Sequence, residues 1–265
     1  MTACVVKAVG IAAPGLAGWS AAREVLSGAL PYTQVAETAY APALLPPNER
    51  RRAAAAVRQA FRAAEDAING CDARTLASVF ASSDADMSVL HRICAALAQA
   101  PRVISPTDFH NSVHNAASGY WSIAVQSMAP TTTLAAYDAS FTAGLIEAMA
   151  LARQRGDVLL VAYDAMAPQP LLDKRPLALS AGVALILGAA DASGANAGAA
   201  TLGRIELRLD GEGETGCSTP QLEVLRGANP ALRALPLLEL LAARRAGIVT
   251  LRGPGDLRVN IRYAP

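Results

Sequence analysis

Lysine is nearly missing from this chain. Only Lys7 and Lys174 occur, so arginine carries almost all of the positive charge. Charged residues make up only 17% of the sequence, and the formal net charge is +1. There is no basic block or stripe, which argues against nucleic acid as a partner, and no acidic tail that would act as a solvating segment. Cysteine is sparse. Cys4, Cys71, Cys94 and Cys217 lie far apart without a Cys-x-x-Cys pair, so reduced, mostly buried thiols in a cytoplasmic protein are expected. Histidine stops early: His91, His110 and His114 are the only three, and none lies beyond residue 114. Long apolar runs are absent too. The most apolar stretch, Leu177 to Ala190, is interrupted by Ser180, Gly182 and Gly188, whereas a membrane span needs about 20 apolar residues. The start of the sequence lacks the basic and apolar regions of a secretory signal.

What is abundant is alanine, within a composition that is 52% hydrophobic. Such a chain of 265 residues has much surface to bury, enough for one large domain or two small ones, with a subunit interface among the ways to bury it. The pattern predicts strands at Val5–Ala13, Leu76–Ala81, Thr131–Tyr137, Val158–Ala162, Leu177–Leu187 and Ile205–Leu209, with a closing hairpin of Ile248–Leu251 and Leu257–Ile261. Helices are predicted at Trp19–Leu26, from Asn48 to a stop at Gly70, from Met87 through Leu97, at Val113–Met128, at Ala139–Arg153 and at Pro230–Arg245. Asp84 and Asp138 are expected to cap the helices that come after them. Strands alternating with helices predict an α/β protein with a largely parallel sheet. Asp191–Ala200 reads as a loose linker.

The middle of the chain resembles a known family. Ile104-Ser105-Pro106, Asn115-Ala116-Ala117-Ser118-Gly119, Pro130, Thr142-Ala143-Gly144-Leu145 and Asp157-Val158-Leu159-Leu160-Val161-Ala162 match the order and spacing of the N-terminal half of a β-ketoacyl-ACP synthase. The resemblance is nearer still to the short chain-length-factor-like homologues that accompany ketosynthases in aryl polyene and related pigment pathways. It implies a thiolase-like layered α/β fold. Residues 1–190 would form the ketosynthase N-terminal-like part, and 191–265 a truncated C-terminal extension packing on the same domain. It also implies a pairing of central sheets through the strand Thr131–Tyr137, with an active ketosynthase subunit as partner and an acyl carrier protein reached through the complex.

The family's chemistry needs a cysteine thiolate at a helix N-terminus and, later in the chain, groups that promote decarboxylation, commonly histidines. Counting from Pro130 or back from Val161 places the nucleophile position at Asp138; matching Thr-Ala-Gly places it at Phe141. Neither is cysteine, and no cysteine lies between Cys94 and Cys217. The histidines and lysine of the family's C-terminal half have no counterpart here, and the stretch after residue 190 is too short for a complete second half. The expectation is a catalytically silent subunit without cofactor or metal. Its interface or acyl tunnel would be lined by Phe109, His114, Tyr120, Trp121, Met128, Thr133, Tyr137, Asp138 and Phe141. An acyltransferase or hydrolase using Ser140 or Asp138, and a homodimeric acyl-binding protein, are the alternatives. His110 and His114 stand four apart, a spacing that can bind zinc, but core or interface hydrogen bonding is the simpler reading. The Arg50-Arg51-Arg52 cluster reads as a solvated helical turn before it reads as a carrier-docking patch. Tyr163-Asp164 stands where ketosynthases carry a Gly-Gly turn.

Overall fold

Every position of Val158–Asp164 is buried, as expected of a strand covered on both faces. Its side chains alternate: Val158, Leu160 and Ala162 join one apolar cluster, and Leu159, Val161 and Tyr163 another on the opposite face. In the computed structural model, which describes residues 2–69, 71–190 and 201–265, this strand is the fifth of nine. The predicted linker at 191–200 and the predicted stop at Gly70 lie outside the described residues.

The strands are β1 (Thr2–Ala13), β2 (Leu16–Ala17), β3 (Ala77–Ala81), β4 (Thr131–Leu134), β5 (Val158–Asp164), β6 (Ala181–Ala189), β7 (Gly203–Arg208), β8 (Gly247–Arg252) and β9 (Arg258–Ala264). Among the described residues they form one sheet in the order β4-β3-β5-β6-β1-β7-β9-β8, with β2 folded back on β1. The helices are α1 (Trp19–Leu26), α2 (Pro47–Arg52), α3 (Ala55–Ile68), α4 (Met87–Leu97), α5 (Pro106–Asn111), α6 (Ala116–Val125), α7 (Ser140–Arg155), α8 (Pro220–Ala228) and α9 (Leu235–Ala243). Helices α3 and α6 cover one face of the sheet; α1, α7 and α9 cover the other.

The largely parallel sheet expected from the alternation is corrected to a mixed one. Only β4, β3 and β5 run parallel, whereas β6, β1, β7, β9 and β8 pair antiparallel. A parallel neighbour needs a crossover across one face, usually a helix. The segment from β5 to β6 carries only a 3-10 turn at Leu171–Asp173, so β6 returns directly beside β5.

Helix α3 is laid unusually close to the sheet. A methyl group on Gly10 of β1 would stand 2.1 Å from the Ala63 carbonyl oxygen, and one on Gly182 of β6 would stand 2.9 Å from that of Gln59. Ala56, Ala60, Ala63, Ala64 and Ala67 are buried on α3, with Val57, Phe61 and Ile68 around them.

The single helix predicted from Asn48 is two. Ala53 and Ala54 adopt extended ψ angles of 121° and 172°, and Asn48 caps nothing, since Pro46 holds the N-cap position of α2. The start of α3 is satisfied from elsewhere: the Ala56 N–H donates to Asp86 Oδ2 at 2.9 Å. Helices α5 and α8, neither of them predicted, begin with Ser105-Pro106 and Thr219-Pro220, and each hydroxyl accepts from the third residue on. The expectation of mostly buried thiols fails for two of four. Cys4 is buried, Cys217 is half-buried, and Cys71 and Cys94 are exposed.

Candidate functional site

Strand β4 ends at Leu134, and the chain turns sharply before α7. Tyr137 sits in the left-handed region at φ 53°, a strained choice for a bulky side chain. A 3-10 turn at Tyr137–Ala139 leads straight into α7. Ser140 fastens the turn, since its Oγ donates to the Tyr137 carbonyl at 2.7 Å and accepts from the Ala136 N–H at 3.0 Å. It is 1% exposed.

Asp138 does not cap α7. Ala139 holds the N-cap position, and among the described residues no side chain caps the first turn. The Asp138 carboxylate turns instead to arginine: Arg175 Nη1 donates to Oδ1 at 2.6 Å, and Arg233 Nη2 stands 3.8 Å from Oδ2. Asp84 is corrected in the same way. The residue that caps α4 is Asp86, whose Oδ1 accepts from the Val89 N–H, while Asp84 Oδ2 accepts from the Arg175 Nε–H at 2.7 Å. Arg175 is only 7% exposed, and its guanidinium lies 3.7 Å from the centroid of the Tyr137 ring. Burial pulls its pKa down, but hydrogen bonds to Asp84 and Asp138 outweigh it and raise the pKa overall.

Behind this clamp lies Asp164, at the end of β5. Its Oδ1 accepts from Ser82 Oγ, from the Ser83 N–H and from Ser83 Oγ, all within 2.9 Å. Its Oδ2 is buried without a hydrogen-bond partner among the described residues. Burial raises its pKa to about 7; the serine hydrogen bonds pull it down and Asp84 pushes it up. Ser83 Oγ also lies 2.6 Å from Asp84 Oδ2, so a hydrogen-bonded chain runs from Asp164 through Ser83 and Asp84 to Arg175 and Asp138.

The residues named from sequence divide into two sets. Tyr120, Trp121 and Phe141 are core. The Trp121 ring lies 5.3 Å from Phe61 and 6.4 Å from Phe80, and Phe141 is packed beneath the sheet with Leu145 and Met149. Phe109, Met128 and Tyr137 are exposed, Met128 almost completely. Thr133 Oγ1 lies 3.0 Å from Ser118 Oγ, tying the outer strand β4 to α6. His110 and His114 do not share a helix face: His110 packs edge-on against Tyr120, and His114, beyond α5, donates from Nε2 to the Ser82 carbonyl at 3.1 Å. A groove of about 380 Å³ runs over α5 and α6 between Pro106, Phe109, Val113 and Ile123. On α2, Arg50 donates to the Ala43 and Leu45 carbonyls, and Arg52 pairs with Glu49 at 3.6 Å.

Arg175, Arg233, Asp164, Ser82 and Ser83 were not anticipated as site residues. Arg175 reaches Asp138 from 37 residues downstream, with no local pattern to announce it. Asp164 carried one signal, its place at the small-residue turn of the family.

A layered sheet covered by helices on both faces, with a buried helix starting at a tight turn after a parallel edge strand, is the thiolase-like arrangement. Residues 19–226 match the family model of the β-ketoacyl synthase N-terminal domain, and the chain belongs to that family. No curated protein matches it. Among solved structures it is similar to a chain in the complex of the ketosynthase ApeO with its chain length factor ApeC from Xenorhabdus doucetiae, at 20% identity, 99% coverage of both chains and a TM-score of 0.72. It is similar to a chain of the ishigamide ketosynthase/chain length factor at 13% identity, 99% coverage of both and a TM-score of 0.74. A third, from AntDE:AntF, a type II acyl-carrier protein in complex with its ketosynthase, gives 12% identity, full coverage of both and a TM-score of 0.74. At such identities the likeness is one of fold. Among the described residues, no helix is long and apolar enough to cross a membrane.

Proposed function

We propose that this chain is a non-catalytic, chain-length-factor-like partner of an active β-ketoacyl synthase. In this reading it shapes the acyl tunnel in cytoplasmic aryl polyene or related polyketide or fatty-acid biosynthesis. One observation carries the reading: at the turn where the family places a cysteine thiolate, Asp138 is bound to the buried Arg175, and Phe141 is sealed in the core. A carboxylate held by a guanidinium is a poor acyl acceptor, and a phenyl ring is none. No histidine occurs after residue 114 to assist decarboxylation. Ser140 is no substitute, because its hydroxyl is engaged by the backbone of its own turn.

Pairing would use the outer strand β4, with its Thr133, and the exposed Phe109, Met128 and Tyr137. An unpaired strand edge is a ready template for another chain. The active thiol, and contact with an acyl carrier protein, would come through the ketosynthase subunit. Two of the similar structures are named as a ketosynthase with its chain length factor, which supports that choice of partner. Co-expression with a ketosynthase encoded beside it, then size-exclusion chromatography, tests the reading. A stable mixed complex is expected. Two separate homomers would overturn it, and retained lipid in the homomer by native mass spectrometry would favour an acyl-binding protein instead.

A further inference from the structure

Beside Asp138 lies a cavity of about 60 Å³ lined by Asp138, Glu214, Arg226, Arg233, Leu251 and Arg252. A water molecule needs roughly 10–15 Å³ of such space, so the cavity has room for about four waters, or for one carboxylate or phosphate group. Its three guanidinium groups are unequally engaged. Arg226 is held by Glu223 through Nε and Nη2, at 2.6–3.0 Å, with Glu214 at 3.6 Å from Nη1. Arg233, three-quarters buried along its side chain, makes no hydrogen bond among the described residues; its one ion pair is the 3.8 Å approach to Asp138 Oδ2. Arg252, on the outermost strand β8, has no hydrogen bond or ion pair among the described residues.

The two carboxylates in the wall are each shared between guanidinium groups. Asp138 Oδ1 is bonded to Arg175, and Glu214 stands between Arg226 and Arg258, at 3.6 and 3.9 Å. Around the cavity the five guanidinium groups of Arg175, Arg226, Arg233, Arg252 and Arg258 face the four carboxylates of Asp84, Asp138, Glu214 and Glu223, so one positive charge is left over. A largely buried guanidinium without hydrogen-bond acceptors is costly. Burial first, and Arg226 second, lower the pKa of Arg233, and the pull of Asp138, Glu214 and Glu223 in the other direction does not make good the loss. Planar guanidinium forks suit carboxylate and phosphate oxygens.

We infer that this cavity is an oxyanion site, in which Arg233 and Arg252 hold a carboxylate or phosphate group against the rear guanidinium of Arg226. The site belongs to this chain alone, so its test does not depend on whether a ketosynthase partner is found.

Isothermal calorimetry and thermal melts of the full chain with inorganic phosphate, and separately with malonate, would test it, with sodium chloride at matched ionic strength as control. Saturable binding and a raised melting temperature are expected with at least one of the two. Phosphate alone would identify a phosphate group as the ligand, and malonate alone a carboxylate. R233M should weaken binding at least about tenfold, the loss of one charge-assisted pair. R252Q, which disturbs no contact within the described chain, should weaken it several-fold while leaving the melting temperature without ligand unchanged. The inference is overturned if neither anion exceeds the chloride control, or if R252Q and a folded R233M both bind as the unmodified chain does.

Discussion

The Arg175 guanidinium lies over the Tyr137 ring, 3.7 Å from its centroid, while its nitrogens hold Asp84 and Asp138. One buried side chain thus joins the loop after β3, the strained turn after β4 and the segment after β5. Replacing it with alanine leaves partly buried Asp84 without its cation and Asp138 with only the 3.8 Å approach of Arg233. R175A should cost about 3 kcal/mol, the lower end for a broken buried pair because both carboxylates keep some contact with water. Urea denaturation measures this, and a loss below about 0.5 kcal/mol would remove Arg175 from the centre of the site.

Asp164 predicts how stability depends on pH. Its folded pKa of about 7 lies above the ordinary value of 3.8. A carboxyl group shifted upward favours the fold most when both states are protonated, below about pH 4, and that contribution is lost as the pH rises through about 7. Comparing D164N with the unmodified chain isolates the effect: the unmodified urea midpoint should fall more between about pH 5 and about pH 8 than that of D164N. Parallel curves would show that Asp164 does not titrate in this range.

Asp86 serves two helices at once, Oδ1 on the Val89 N–H of α4 and Oδ2 on the Ala56 N–H of α3. Losing one cap costs typically about 1 kcal/mol, so D86A should cost about 2 kcal/mol. D86N, which keeps one acceptor oxygen, should recover about half of that. Chemical denaturation of the two variants distinguishes a shared cap from an ordinary surface carboxylate, for which both changes would be silent.

Phe109 and Met128 separate pairing from folding. Both are exposed in the single chain, 69% and 99%, so F109D and M128D should alter its stability by no more than about 0.5 kcal/mol. Capture of a ketosynthase partner should nevertheless fall at least about tenfold, because the charge would have to be buried at the contact. Undiminished capture by both variants would move the interface elsewhere.

The features legible in the sequence are those with local causes. Apolar runs such as Val158–Ala162 and punctuation such as Pro130 placed the main strands and helices because their causes lie within a few residues. That no cysteine lies between Cys94 and Cys217, and no histidine after His114, is read from the sequence directly. Strand direction was not, since whether β6 returns beside β5 depends on what its connection lacks. Nor were the aspartates. Asp84 and Asp138 each stand before a helix, where a cap is the local optimum, yet Arg175 offers a stronger partner from far along the chain. Tyr120 and Trp121, named for a tunnel or interface, lie in the core beneath α3, because with Ala117, Ser118 and Val125 they make up the inward face of α6 at helical spacing.

The near contact of α3 with β1 and β6 gives the chain's alanine excess a physical meaning. Where Gly10 meets Ala63 and Gly182 meets Gln59, backbone faces backbone, so the distance between layers is set by atoms that are missing. Such a seam admits almost no enlargement. Drift along it is confined to hydrogen and methyl, so larger side chains have room to vary only away from it, at the turns and edges where partners and ligands are chosen.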